Sequence, residues 1–366
     1  MNRYAFRILR GQPLRLMLTV GGIALCIVLM LFLLSVYNGV ADGSVDYIRR
    51  NKADLWVLQR NAWNILRGSS LLSNRHVEVV RQIPNVKSVS PVLLLLSTIK
   101  KGDQMATVFL TGFDPEADLG GPPRLVGGRS VSSDDEIILD KSFAAKFDFK
   151  LGDTVHVQDH PMRVVGISGG TNAFVIQYAF ATLRRAQSLV AFPGIVTCIL
   201  VKVEGDDAKI VDAIRRALPD VEVYDHGTFL QNNVREMQSG LLPFLYTVAV
   251  IGIIVLTAIL SLLLSINILE RRRDFAILKT LGSPGSFLPL LVIKQALLIS
   301  FASSLVALVL FFPLTSLIEA FSPEVSTKSS LDQIAAVVIA VALMSLLSSF
   351  ISIQRLRRIY PLEAFS

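Results

Sequence analysis

The sequence predicts an α-helical membrane protein with four transmembrane helices. The first is separated from the other three by a large α+β extracytoplasmic domain. Three observations carry this. Hydrophobic residues make up 52% of the 366 and charged ones 18%, too apolar a balance for an ordinary soluble chain. Four apolar runs, 16–36, 241–269, 287–312 and 331–353, can each cross a hydrocarbon core of about 30 Å, which takes about 20 helical residues. The polar stretch 37–240 between the first two has the size of one or two compact domains.

Residues 1–15 form a basic cytoplasmic segment carrying Arg3, Arg7, Arg10 and Arg15. The run 16–36 is too long for a cleavable leader, and Ser35-Val36-Tyr37-Asn38 offers no small-residue cleavage pattern, so it reads as a signal anchor. Arg271, Arg272, Arg273 and Lys279 lie in the loop 270–286, and Arg355, Arg357 and Arg358 lie in the tail 354–366. Four spans put all three basic sets on one side, which positive-inside bias makes cytoplasmic. Both termini are then cytoplasmic in a multi-pass protein of a bacterial inner membrane. The short loop 313–330, with Glu319, Glu324 and Lys328, faces outside. The net charge of +7 is thus topological, and no nucleic-acid partner is expected.

The outer domain begins and ends in helical stalks, Val40–Lys52 and Thr228–Ser239, that continue the membrane helices. Two segments inside it resemble each other. Val77–Val80 followed by Pro84 and the strand pattern Val86–Val89 parallels Ile210–Ile214 followed by Pro219 and Val221–Val223. Strand candidates Asp54–Leu58 and Val196–Val203 precede them, so two strand–helix–strand units form ferredoxin-like halves. Between them Glu136–Leu139, Thr154–Gln158 and Met162–Ile167 make a β-rich insertion, with a hairpin of a small barrel bounded by Asp159-His160-Pro161. Cys26 lies in the first span and Cys198 in the outer domain, so no intrachain disulfide is available. Cys198 reads as a small core residue.

No catalytic residue, metal site or cofactor is expected. There is no G-x-x-x-x-G-K-[ST] loop and no H-E-x-x-H, and His76, His156, His160 and His226 lack ligand spacing. Within the spans Lys294, beside Gln295, is the one charge placed to matter, and it lies close enough to the cytoplasmic side to snorkel. No chain of acidic or histidine residues crosses the membrane, and there are no matched broken helices of a carrier. Energy must come from outside the chain.

The loop Glu270-Arg271-Arg272-Arg273-Asp274-Phe275-Ala276-Ile277-Leu278-Lys279-Thr280-Leu281-Gly282 joins a charge cluster to an amphipathic turn between two spans. A plain topological loop explains its arginines but not the apolar stripe Phe275, Ile277, Leu278 and Leu281. It resembles the E-R-x-x-E-[IF]-[AG]-[IV]-L-[KR]-[AT]-[LI]-G signature of the MacB/FtsX-type ABC permeases. The ending Tyr360-Pro361-Leu362-Glu363-Ala364-Phe365 is similar to that family's D-P-x-E-A-L/F, with Pro361, Glu363 and Phe365 as its matching positions. Val126-Gly127-Gly128-Arg129-Ser130, Leu151-Gly152-Asp153 and Val165–Thr171 are similar to the DevC-like subgroup. Asp274 stands where that family more often has glutamate, and Gln295 where it often has one after a glutamine.

The resemblance implies a non-catalytic homodimeric permease served by a separate cytoplasmic ABC ATPase, which would bind the ATP and magnesium. Glu270, Arg271, Arg272, Arg273, Asp274, Phe275, Ile277, Leu278, Lys279, Leu281 and Gly282 would form the coupling helix against that ATPase. The motion would pass to the outer domain by mechanotransmission and move a lipid, glycolipid, lipoprotein or peptide. A periplasmic adaptor, an outer-membrane channel and membrane lipid are the further partners it implies. Two other readings stand beside it: an FtsX-like signalling permease that regulates a cell-wall hydrolase, and a membrane-anchored enzyme or sensor.

Overall fold

The computed structural model describes residues 13–65, 70–172, 177–190, 194–270, 277, 284, 287–322 and 327–357. Two compact units divide the chain. One comprises Met1–Asn38, Pro243–Leu317 and Thr327–Ser366, the other Gly39–Leu242 and Ile318–Ser326.

The second unit is a mixed α+β domain. It is entered by the end of helix α1 (Pro13–Arg50), followed by strands β1 (Leu55–Gln59) and β2 (Leu72–Ser73), helix α2 (Asn74–Arg81) and the long strand β3 (Val86–Lys101). After β4 (Gln104–Phe113), β5 (Leu125–Gly128) and β6 (Glu136–Asp140) come helix α3 (Lys141–Lys146), β7 (Thr154–Val157), β8 (His160–Ser168) and β9 (Gln177–Thr182). Helix α4 (Leu183–Ser188), β10 (Ile195–Val196), β11 (Cys198–Val203), helix α5 (Asp207–Ala217) and β12 (Val221–Asp225) complete it, before helix α6 (His226–Glu270) leaves.

The two strand–helix–strand units of the sequence are both present and interlock. Strands β12, β1, β11 and β3 lie side by side in that order, every pair antiparallel. Helices α2 and α5 cover one face, burying Val77, Val80, Ile210 and Ile214 against Leu55, Val57, Ile199 and Val201. Apolar positions three and four apart give each helix one such face.

The insertion extends this sheet instead of standing apart, because β3 serves both regions. Its first half pairs with β11 and its second with β4 and β7. The ladder then runs β3–β4–β9–β6–β8–β7 and returns to β3, closing a six-stranded ring. Closure removes exposed edges from these strands. All six contribute to one core, which includes Ile99, Val108, Ile137, Val155, Val164 and Ala179. The intervening residues Ile138, Val165, Tyr178 and Phe180 point to a different core, as the two-residue period of a strand requires. The β7–β8 turn is narrower than its sequence suggests. Gln158 and Asp159 have positive φ, 46° and 69°, and His160 and Pro161 already belong to β8. Two left-handed residues close the two-residue hairpins whose twist matches the strands.

Among the described residues, three helices are long and apolar enough to cross a membrane: Leu16–Gly39, Pro289–Phe321 and Leu331–Phe350. They belong to α1, α7 (Phe287–Phe321) and α8 (Leu331–Arg357). The fourth expected run, 241–269, lies on the 45-residue helix α6, which carries the shorter apolar segment Val250–Ile259. Helix α7 passes Pro313 and ends at Phe321, beyond the apolar run that closes at 312. The hydroxyls of Thr315 and Ser316 donate to the Phe312 carbonyl there, at 2.9 and 3.1 Å, whereas the carbonyl that Pro313 deprives of its N–H donor is that of Val309, one turn earlier. Ile23, Ile27 and Leu31 of α1 pack with Ile299, Phe311, Val341 and Met344. Ser300, Ser303, Ser304, Ser345, Ser348 and Ser349 are buried, and such small residues let helix backbones approach closely.

Candidate functional site: the roots of the two long helices

Of the loop expected to meet a soluble partner, Glu270 ends helix α6, and Ile277 is helical and 43% exposed. Arg271, Arg272, Arg273, Asp274, Phe275, Leu278, Lys279, Leu281 and Gly282 lie outside the described residues, as do Pro361, Glu363 and Phe365. Of the spans' polar pair, Gln295 is buried and Lys294 half-buried. Among the described residues no group of three or more His, Cys, Asp or Glu could hold a metal ion. His76 instead bonds Ser73 and Asp220, and His226 accepts from Trp56. Cys198 is fully buried, and burial pushes its thiol far up, which suits a core residue and not a nucleophile.

What the structure does assemble is the pair of places where the long helices meet the mixed domain. At the first, α1 turns its last residues into the core. Tyr47 is fully buried and stacks on Tyr178 at 5.2 Å. Its hydroxyl donates to the Gly120 carbonyl at 2.8 Å, and burial raises the phenol well above its usual range. Asn51 accepts the Gly120 N–H at 3.2 Å. Asp46, 7% exposed, receives Arg50 Nε at 2.9 Å, and Arg49 approaches its other oxygen at 3.8 Å. Buried carboxylates require such partners, and the two arginines also suit the negative end of the helix.

A loop grips this root from the side. Gly170 has φ +77°, and a Cβ there would lie 2.4 Å from Asp46 Oδ2. At Gly43 a Cβ would fall 2.4 Å from the Asn172 carbonyl oxygen, a backbone atom, so glycine is required there unless the backbone shifts, while at Gly170 the positive φ is what favours glycine. Thr171 donates to Asp140 Oδ2 at 2.6 Å. Asp140 in turn caps α3 by accepting from the Ser142 and Phe143 N–H groups. Burial raises the Asp140 pKa against these bonds. Gly170 of the 165–171 motif thus serves a helix–loop contact.

The second root is the start of α6. Phe229 stacks on Trp56 at 4.6 Å and on Tyr224 at 6.0 Å, while Trp56 Nε1 donates to His226 Nδ1 at 3.4 Å. Asn233, fully buried, accepts the Ile65 N–H at 3.1 Å and donates to the Phe229 carbonyl at 2.8 Å. Asp225 accepts the Thr228 N–H at 2.9 Å, and the bonds from Thr228 hold its carboxyl below the usual range. Tyr47, Trp56, Tyr178, Phe180 and Phe229 all belong to one core cluster, so both helix ends are fixed in the same packed interior. Sequence reading missed Tyr47, Asn51, Trp56 and Asn233, since none belongs to a motif. The Phe229–Asn233 spacing of four, with one polar residue on an apolar face, was the only trace.

Comparison with known proteins adds two family matches. Residues 16–217 match the MacB-like periplasmic core domain, and residues 246–361 the FtsX-like permease C-terminal family. The chain is similar to an uncharacterised ABC transporter permease of Mycobacterium bovis, 26% identical over 99% of this chain and 98% of that protein. It is also similar to the lipoprotein-releasing system transmembrane protein LolE of Haemophilus influenzae, 20% identical over 63% of this chain and 61% of that one. Among solved structures, the periplasmic region of MacB from Actinobacillus actinomycetemcomitans aligns with 50% of this chain and 94% of its own, at 17% identity and a TM-score of 0.41.

Proposed function

The chain belongs to the MacB/FtsX-type ABC transporter permeases, and from that premise we propose that it is the membrane subunit of an ATP-driven export complex working by mechanotransmission. Its membrane part comprises four spans, the fourth supplied by the apolar length of α6. Two copies of the chain pair with a cytoplasmic ABC ATPase that binds ATP and magnesium. The cargo is a lipid, glycolipid, lipoprotein or peptide taken from the outer side of the inner membrane, handed to a periplasmic adaptor and an outer-membrane channel.

The observation that supports this reading is the rooting of α1 and α6 in one aromatic core. Helix α1 has 38 residues and α6 has 45, about 57 and 68 Å at 1.5 Å per residue. Each therefore exceeds the roughly 30 Å of a hydrocarbon core with length to spare. A helix that continues from an apolar segment into a packed domain moves that domain when it moves. The ATPase meets the other end, where Arg271, Arg272 and Arg273 pair with its acidic groups. Phe275, Ile277, Leu278 and Leu281 fill a cleft in it as an apolar face of a short helix.

Purification of the tagged chain from its native cells, with an ATPase assay, tests this. An ATPase should co-purify with the parent chain and be lost with Leu278→Asp, while Phe275→Ala should weaken its capture. Both variants should leave membrane insertion and the outer domain's fold unchanged. A parent chain that arrives without a nucleotide-hydrolysing partner would overturn the proposal.

A further inference from the structure

The mixed domain contains a cavity of about 730 Å³ on which three lysines converge from separate elements. Lys52 follows helix α1, Lys87 is the second residue of β3 and Lys202 sits in β11. The volume falls in the range of small-molecule sites, about 300–1,000 Å³. None of the three lysines has an ion-pair partner among the described residues. Arg50 also lines the space, but its charge is engaged by Asp46.

Surface lysines are common, and a scatter of them means nothing. Here the backbone departs from regularity at this point. Lys202 pairs with Ser88 and Val203 with Val86, so Lys87 is an extra residue in a β-bulge. Regular alternation would send Lys87 and Ser88 to opposite faces, yet both line the cavity. A bulge re-aims side chains in this way, and bulges are over-represented beside functional sites. The opposing charge is sparse: Asp118 is the one carboxylate on the cavity wall. A neighbouring cavity shares Lys52 and Lys202 and has Asp54, Asp207 and Asp225 on its lining. Two of these are engaged, since Asp54 accepts the Val203 N–H at 3.0 Å and Asp225 that of Thr228.

The rest of the wall is mixed, with Asn51, Ser88 and Ser130 beside an apolar part. Phe113 and Leu119 are buried, and Pro122 and Pro123 flank them. Three ammonium groups against the single carboxylate of this wall, beside its apolar side chains, match a phosphate-bearing ligand with a hydrophobic or glycerol body. We propose that this cavity binds a phosphate-bearing anion through Lys52, Lys87 and Lys202. The phosphate comes either from a lipid headgroup or from a soluble phosphate ester. This site stands independently of the permease reading, since binding here needs no ATPase.

The test uses the full chain in detergent and titrates three probes by calorimetry at low salt. They are dihexanoyl phosphatidylglycerol, glycerol 3-phosphate and inorganic phosphate. Lys87→Gln with Lys202→Gln should weaken binding by about ten-fold or more, the scale of losing two charge-assisted hydrogen bonds. Lys141→Gln with Lys209→Gln, the same charge change at exposed positions away from this cavity, should leave it unchanged. Tighter binding of the short-chain lipid than of glycerol 3-phosphate would support the site with a headgroup as source. Equal affinity for the two would support it with a soluble ester as source. Equal weakening by both variant pairs would show diffuse attraction to a basic surface and overturn the proposal, as would no binding of any probe. Unchanged tryptophan fluorescence of the Lys87/Lys202 variant guards against a fold defect, and an unfolded variant would be replaced by Lys52→Gln with the same expectation.

Discussion

The hydroxyl of Tyr47 donates to the carbonyl of Gly120 at 2.8 Å, joining the last turns of a membrane helix to a buried loop 73 residues on. Asn51, one turn later, takes the N–H of the same glycine, so both polar groups of one peptide residue are satisfied by one helix end. Tyr47→Phe keeps the ring and its stacking on Tyr178 but leaves a buried carbonyl without its donor. That should cost about 1–3 kcal/mol. Thermal unfolding of the full chain, followed by the fluorescence of Trp56 in the same core, reads the loss. A variant as stable as the parent would mean that water or a neighbouring donor takes the place of the phenol.

Two glycines of helix α1 should respond in opposite directions to the same substitution. A Cβ at Gly43 would lie 2.4 Å from the Asn172 carbonyl oxygen, whereas at Gly21 nothing stands within 4 Å. Alanine is the better helix former by about 1 kcal/mol, so Gly21→Ala should be neutral or stabilising. Gly43→Ala should destabilise and loosen the contact with the 168–172 loop, read as faster amide exchange at Tyr178, whose N–H donates to the Thr171 carbonyl. Equal stability of the two variants would show that the Gly43 contact is easily relaxed.

How far the sequence revealed this molecule depended on whether the signal was local. Val77 and Val80 before Pro84, and Ile210 and Ile214 before Pro219, announce two short helices through spacing and a stop residue, and both exist. The β7–β8 hairpin was legible for the same reason. Strand β3 was not: local alternation marks only its first residues, while it runs 16 residues through Pro91 and the run Leu93–Leu96. Its two halves have different partners, so no single alternation marks it. The parallel pairings β4–β9 and β6–β8 join residues far apart in the chain, which local patterns cannot announce. The helix roots were hidden likewise, since Tyr47 and Asn233 acquire meaning only from Gly120 and Ile65. The reverse holds for the loop after Glu270, where the motif is plain in the sequence.

Acid should weaken the mixed domain partly through Glu136. The Arg129 guanidinium beside it, helped by Ser132, holds its carboxyl down at about 2 against burial. A carboxylate depressed on folding contributes stability that is complete above its unfolded value, about 4.3, and is lost as pH falls towards the folded one. The window is therefore about pH 4.5 down to 2. Arg129 is 56% exposed on its side chain, so screening keeps the effect modest. Glu136→Gln should lower stability at neutral pH and flatten the acid limb of a urea-midpoint profile in that window. Parallel profiles for variant and parent would assign the acid limb to other carboxylates. Asp140, raised by burial, has the opposite sign: its ionised form opposes folding as pH rises past the unfolded value.

Helix α6 carries its own weak turn. Leu242 is the last of its residues in the mixed unit and Pro243 the first in the apolar one, and the helix runs through both. Proline has no N–H to give to the carbonyl of Ser239, and its ring crowds that turn. The hydroxyl of Thr247 donates back to the Pro243 carbonyl at 2.8 Å, a local bond that does not replace the missing one. Pro243→Ala restores the ladder and should raise protection against hydrogen exchange at amides 240–247. Protection around Trp56 in the distant core should stay as it was. If motion reaches the outer domain through α6, a stiffer turn also changes how ATP hydrolysis by the partner is coupled to it. Unchanged protection at 240–247 would show that the helix is already closed around its proline, and the turn would then be no place for it to bend.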